Sequence, residues 1–204
     1  MTRLYLASTS PARKKILTDI GLDPILLAPD LDEEQAVKDM EQPTTAENVA
    51  LHLAKLKAES ALSSDVDGLV IGGDSVFDLG GALYGKPHQP DVARQRWQAM
   101  VGNKGTLYSG LWLIDHTGGS PKASAGLVSS ATLTFAADMS LAEIDAYIAT
   151  GEPLSVAGAF TLDGRGAAFI ESLEGDPYAV VGLSAFALRS LVLELGHDYT
   201  GLWI

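Results

Sequence analysis

The chain has 204 residues, with 14 Lys plus Arg against 26 Asp plus Glu, a formal net charge of −12 and 47% apolar residues. That length is one ordinary domain or two very small ones, and the apolar content excludes a disordered chain. The acidic balance argues against a surface for polymeric nucleic acid, and the absence of cysteine removes disulfides, cysteine zinc sites and a thiol nucleophile.

Residues 3–7 read as a first strand. Ser10 then caps a helix, Pro11 takes its first position and Gly21 stops it. Residues 22–28 suit a second extended run, and the acidic, weakly periodic stretch 31–42 reads as a loop or lid. Residues 44–64 give the clearest helix, with Thr44 and Glu47 at capping-box spacing. Ala46, Val49, Ala50, Leu53, Ala54, Ala58 and Ala61 form its apolar stripe, and Lys57 falls on that same stripe. Residues 69–77 are a strand with the continuous apolar start of a buried parallel one. Gly80-Gly81 then makes a hairpin turn into residues 82–84.

Residues 91–101 form an amphipathic helix closed by Gly102. Two strands, 107–115 and 127–136, are joined by a Gly/Ser/Pro-rich hairpin over 116–126. Ser140 and Glu143 cap a helix that ends at Gly151. Short strands follow near 158–163 and 168–173, and a last helix runs over 184–195. Strands joined by hairpins and strands joined through helices both occur, so the fold class is α/β with a mixed, twisted sheet and flanking helices. The amino terminus is too short in apolar residues for a signal segment, and no run approaches the roughly 20 needed to span a bilayer. A cytoplasmic protein with no membrane association is the expectation.

Five features bear on chemistry. Ser8, Ser10, Ala12 and Arg13 lie where a strand meets a helix, and Arg13, Lys14 and Lys15 oppose the dipole there unless an anion sits among them; simple capping with solvated cations is the alternative. Asp74, after the apolar run Val70-Ile71-Gly72-Gly73, suits a metal-binding carboxylate at a strand end, with glycines that admit a ligand; a turn-forming Asp is the alternative. Gly80 to Lys86 spells a Walker A loop lacking its hydroxyl, but Pro87 and the hairpin context oppose a P-loop. Lys57 either snorkels outward or faces an internal anion. Asp30 to Glu34 could hold a hard cation or be a solvated acidic loop. His52, His88, His116 and His197 show no metal spacing, and there is no serine-hydrolase elbow. Phosphate-facing cations, carboxylates and no covalent nucleophile together suit metal-assisted attack of water on a phosphoanhydride.

The ordered motifs Leu6-Ala-Ser-x-Ser-Pro-x-Arg13, Leu53-Ala-x-x-Lys57-Ala, Ile71-Gly-Gly-Asp74-Ser-Val, Gly85-Lys86-Pro87, Gly151-Glu-Pro, Ala157-Gly-Ala-Phe160 and Gly175-Asp-Pro-Tyr-Ala-Val-Val-Gly-Leu183 resemble the Maf family of nucleoside triphosphate pyrophosphatases over nearly the whole chain. The resemblance implies a single domain spanning the chain, 1–204, with an elongated fold like that of the inosine triphosphate pyrophosphatases and a deep cleft. It implies cleavage of a nucleoside triphosphate into monophosphate and pyrophosphate, a divalent cation such as Mg²⁺ or Mn²⁺, and a homodimer. By motif position Asp74 matches the family's proton acceptor, Glu33 its second metal-holding acid, Ser8, Ser10 and Arg13 its phosphate loop, and Lys57 and Lys86 its two active-site lysines. Ala12, Ser75 and Asp163 stand at the specificity positions. Relatives acting on dTTP and UTP usually carry Arg, Thr and Gln there, and those acting on 7-methyl-GTP usually carry Trp at 12 and Glu near 163. This chain fits neither set, and its Val156 replaces a frequent Lys. The rival reading is a nucleotide-binding regulator of septum formation that does not turn substrate over.

Overall fold

Residues 2–42 and 44–204 are described by the structure, a computed structural model. Among the described residues, seven strands form one mixed sheet: β1 (Leu4–Ala7), β2 (Ile25–Leu27), β3 (Leu69–Leu79), β4 (Ala82–Tyr84), β5 (Lys104–Asp115), β6 (Ala123–Phe135) and β7 (Ile170–Gly175). Their order is β2-β1-β3-β5-β6-β7, with β4 paired to β3. β1 runs parallel to both β2 and β3, whereas β3–β4 and β6–β7 are antiparallel. The helices are α1 (Pro11–Asp19), α2 (Glu33–Lys38), α3 (Ala46–Ser60), α4 (Pro90–Met100), α5 (Leu141–Ala149), α6 (Pro177–Val181) and α7 (Ala185–Glu194). The mixed α/β class expected from the sequence is the one observed. None of the helices among the described residues is long and apolar enough to cross a membrane.

The chain divides into two compact units. One comprises the described residues up to Asp74, with Ser109–Ser129 and Gly182–Ile204; the other is Ser75–Tyr108 with Ser130–Val181. In the first, β1 and the start of β3 are buried along their length, so both faces of this parallel section are covered. Tyr5, Ala7, Ala58, Val66, Val70 and Ile114 form one of its apolar clusters. α3 approaches the sheet very closely. A methyl group on Gly72 would stand 2.0 Å from the Ala54 carbonyl oxygen, and one on Gly110 2.4 Å from that of Ala50. Alanines on the helix and glycines on the strands thus remove the side-chain layer between them.

The second unit is built around aromatic rings. Trp97 meets Phe135 edge-on at 5.6 Å and Tyr147 at 5.5 Å, and Phe77 meets Phe160 at 5.1 Å. Edge-to-face packing of this kind adds about 1 kcal/mol per pair beyond burial. Trp97 Nε1 donates to the Ala159 carbonyl at 2.8 Å, so the indole is fully buried without an orphaned N–H. The Gly80-Gly81 turn joins β3 to β4 as expected, with both glycines at positive φ. The Ser140–Glu143 capping box also forms.

Several elements differ from expectation. Residues 33–38 are a helix, not a loop, because Asp32 accepts from the Gln35 amide and supplies the N-cap. α3 is capped by Thr45, one residue after Thr44, so its first turn carries no capping box. Residues 158–163 do not form a strand: Gly158 and Ala159 both take positive φ, and the Ala159 carbonyl is committed to Trp97. β6 begins at Ala123, earlier than the sequence pattern placed it.

Candidate active site

In the first unit, four charged side chains from four elements meet. The local cause begins with α1. Ser10 accepts from the Arg13 amide as N-cap, which starts the helix so that Arg13 faces inward. Lys14 and Lys15 face solvent, and Lys15 pairs with Asp19 one turn on. Arg13 Nε donates to the Gly182 carbonyl at 2.8 Å and Nη1 to Ser8 Oγ at 3.2 Å. Ser8 Oγ also accepts from the Ser10 amide. Arg13 and Ser8 are both buried.

The close approach of α3 then delivers Lys57. Its position on the apolar stripe carries it inward, and its side chain is only 7% exposed. Lys57 Nζ donates to Asp74 Oδ1 at 2.6 Å and lies 2.8 Å from Glu33 Oε1. Glu33 is the first residue of α2, half-exposed, and α2 packs on α3. Asp74 is buried within β3, five residues before its end, and not at a strand terminus as expected. Burial pushes the Asp74 carboxyl above the ordinary carboxylate range, against the opposing pull of Lys57 and Arg13. Burial likewise lowers the affinity of Arg13 for its proton, with Asp74 and Glu33 opposing; an arginine remains charged through such a shift.

Of the sequence-derived candidates, the structure brings together Ser8, Ser10, Arg13, Glu33, Lys57 and Asp74, with Ala12 half-buried on α1 beside Arg13. Lys86, Ser75 and Asp163 belong to the other unit. Lys86 is exposed on the loop after β4, where the Gly85 carbonyl accepts from Gly158 N and Arg96 Nη1. Gly80 to Lys86 is therefore a hairpin and loop, and α4 begins only at Pro90, which removes the P-loop reading. Asp163 is exposed. Gly72 and Gly73 do not leave room for a ligand: α3 fills the space beside Gly72, and a methyl on Gly73 would stand 3.0 Å from Arg13 Nε. The acidic run 30–34 does not act as a unit, since Glu33 alone turns to Lys57 and Asp32 serves as a cap.

Two polar clusters had no part in the sequence-derived site. In the first unit Asp115 accepts from Thr117 Oγ1 and N and meets His197 Nε2 at 2.9 Å. In the second, Glu152 accepts from Tyr147 Oη, Thr161 Oγ1, and the amides of Arg165 and Gly166. Burial alone would raise the Glu152 carboxyl, but these four donors outweigh it and hold the group at about 2. Glu152 closes the 161–166 loop that carries Asp163. Its only sequence signal was the Gly151-Glu-Pro motif.

A divalent cation can be weighed against these residues. Asp74 and Glu33 supply hard oxygen donors, and an ammonium already bridges them as a cationic stand-in, so the pair fits Mg²⁺ or Mn²⁺. No group of three or more metal-ligating side chains occurs among the described residues, which leaves the remaining ligands to water and substrate.

Comparison with known proteins bears on the whole chain. The chain is 51% identical to a nucleoside triphosphate pyrophosphatase of Leifsonia xyli subsp. xyli (strain CTCB07), over 98% of this chain and 96% of that protein. It is 47% identical to one of Salinispora tropica, over 98% and 87%, and 42% identical to one of Nocardia farcinica, over 98% and 96%. Residues 3–195 match the family described as Maf-like protein. With the match spanning nearly the whole sequence and both units of the fold, this chain belongs to the Maf family.

Proposed function

We propose that this protein hydrolyses a nucleoside triphosphate to the monophosphate and pyrophosphate. The observation that carries the reading is the convergence of buried Arg13 and Lys57 with Asp74 and Glu33 in one site. Relatives at 42–51% identity bear the corresponding name.

In this reading a water attacks the α-phosphorus. The new O–P bond forms as the bridging P–O bond breaks, and pyrophosphate leaves with the electron pair. Asp74 accepts the proton from the water. Its raised proton affinity suits a base working near neutrality better than an ordinary exposed carboxylate would. Arg13 and Lys57 neutralise charge on the phosphates in a site where burial strengthens each interaction. Ser8 and Gly182 fix the guanidinium fork so that it need not be ordered when substrate arrives. Lys86 is assigned to the leaving pyrophosphate, and Ala12, Ser75 and Asp163 to the nucleoside. Asp74 and Glu33 would hold Mg²⁺ or Mn²⁺, which when bound offsets phosphate charge and polarises the phosphoryl group.

The test is product analysis over a panel of canonical and modified triphosphates with Mg²⁺ or Mn²⁺. Equal amounts of monophosphate and pyrophosphate are expected. Release of orthophosphate and nucleoside diphosphate would refute α–β cleavage, and no turnover of any member would favour the regulator. The family also carries an expectation of a homodimer, which sedimentation equilibrium tests; a single species of 21.4 kDa would remove it.

A further inference from the structure

Lys57 has a second consequence. Its ammonium holds one oxygen of each carboxylate assigned to the metal, at 2.6 Å and 2.8 Å. Charge-assisted contacts this short leave no room for an ion between the same partners. Formally, Asp74 and Glu33 against Lys57 and Arg13 sum to zero, so this cluster offers a bare divalent ion no net attraction. It also supplies only two side-chain ligands of the six an octahedral cation takes, so water or substrate must give the rest. Lys57 cannot simply move aside either. Its side chain is 7% exposed, and an unpaired buried ammonium is costly. It can leave the carboxylates only when another anion takes their place.

A metal–triphosphate complex meets every one of these conditions at once. It brings a cation for the two carboxylates and phosphate oxygens for Lys57 and Arg13, so each charge of the cluster finds a partner. We propose that the ligand this site takes is the preformed metal–triphosphate chelate, with Lys57 occupying the metal's place until the chelate arrives. The proposal rests on the assignment of Asp74 and Glu33 to the metal. Lys57 thereby acts as a selector: free divalent ions are refused, and the ammonium passes from carboxylate to phosphate as the chelate enters.

The experiment is Mn²⁺ retention by the full chain in equilibrium dialysis, with and without inorganic tripolyphosphate, which carries the phosphates without a base. The wild type should retain about one Mn²⁺ per chain only when tripolyphosphate is present. Lys57→Met should retain Mn²⁺ alone, at least about tenfold more tightly than the wild type does, because both carboxylates are released. Retention by the wild type of Mn²⁺ alone, as tightly as with tripolyphosphate, would overturn the proposal, and so would retention under neither condition. A folded Lys57→Met no tighter than wild type would also overturn it; should that variant fail to fold, the two wild-type arms decide. The outcome is separable from catalysis. A chain with this retention pattern that releases no pyrophosphate loses the hydrolytic reading alone, and one that hydrolyses but retains free Mn²⁺ loses only this one.

Discussion

Replacing Glu152 by Gln keeps the side chain's size and removes its charge. The carboxylate receives four hydrogen bonds: from Thr161 Oγ1 at 2.5 Å, Tyr147 Oη at 2.9 Å, Gly166 N at 3.0 Å and Arg165 N at 3.1 Å. It is well covered, with a side chain 18% exposed. A Gln amide turns two acceptor sites into donors, which then face other donors. Holding the carboxyl at about 2 instead of 4.5 corresponds to roughly 3 kcal/mol of folding free energy at neutral pH. The loss in Glu152→Gln should therefore be about 2–4 kcal/mol, a large part of the 5–15 kcal/mol typical of a folded domain. The pH dependence follows from the sign of the shift. A depressed folded-state pKa contributes stability that is complete above the unfolded value of 4.5 and is lost as pH falls toward 2. Urea unfolding of both proteins between pH 7 and pH 3 reads the gap, which should shrink by roughly half at pH 3. A gap below about 1 kcal/mol at pH 7, or one unchanged across that range, would refute the reasoning.

Asp74→Asn should cut turnover by about 100-fold or more, measured as pyrophosphate release, if Asp74 takes the proton. Gly72→Ala should destabilise by about 3 kcal/mol or more, since its methyl would stand 2.0 Å from a helix carbonyl that cannot yield without moving α3. Thermal unfolding measures this, and a fall of under about 1 kcal/mol would mean that α3 does not bear on the strand as closely as described.

The two lysines show what a sequence can and cannot place. Lys57 is legible because a helix has a fixed period. A charge on an apolar stripe must either escape or be met, so the stripe narrows Lys57 to two outcomes and the fold shows that it is met. Lys86 sits on a loop, where no period fixes a direction, so its role came only with the motif around it. The acidic run 30–34 fails for a related reason. Its residues alternate between capping a six-residue helix, facing solvent and meeting Lys57, and that division is set by where α2 lands on α3, not by composition. The glycines mislead in the opposite direction. Gly72-Gly73 reads as space kept for a ligand, because a missing side chain and a ligand's berth look alike in one dimension. The structure gives that space to α3 and Arg13, and the result still builds the candidate site: only with the side-chain layer removed can a lysine on the helix reach an aspartate inside the strand. Glu152 was hidden because the groups that hydrogen-bond its carboxylate are two hydroxyls and two backbone amides, with the exposed Arg165 guanidinium approaching only to 3.8 Å. A carboxylate answered by a cation leaves a charge pattern in the sequence, whereas one answered by amides leaves none, so the anchoring of the loop that bears Asp163 became visible only in the fold.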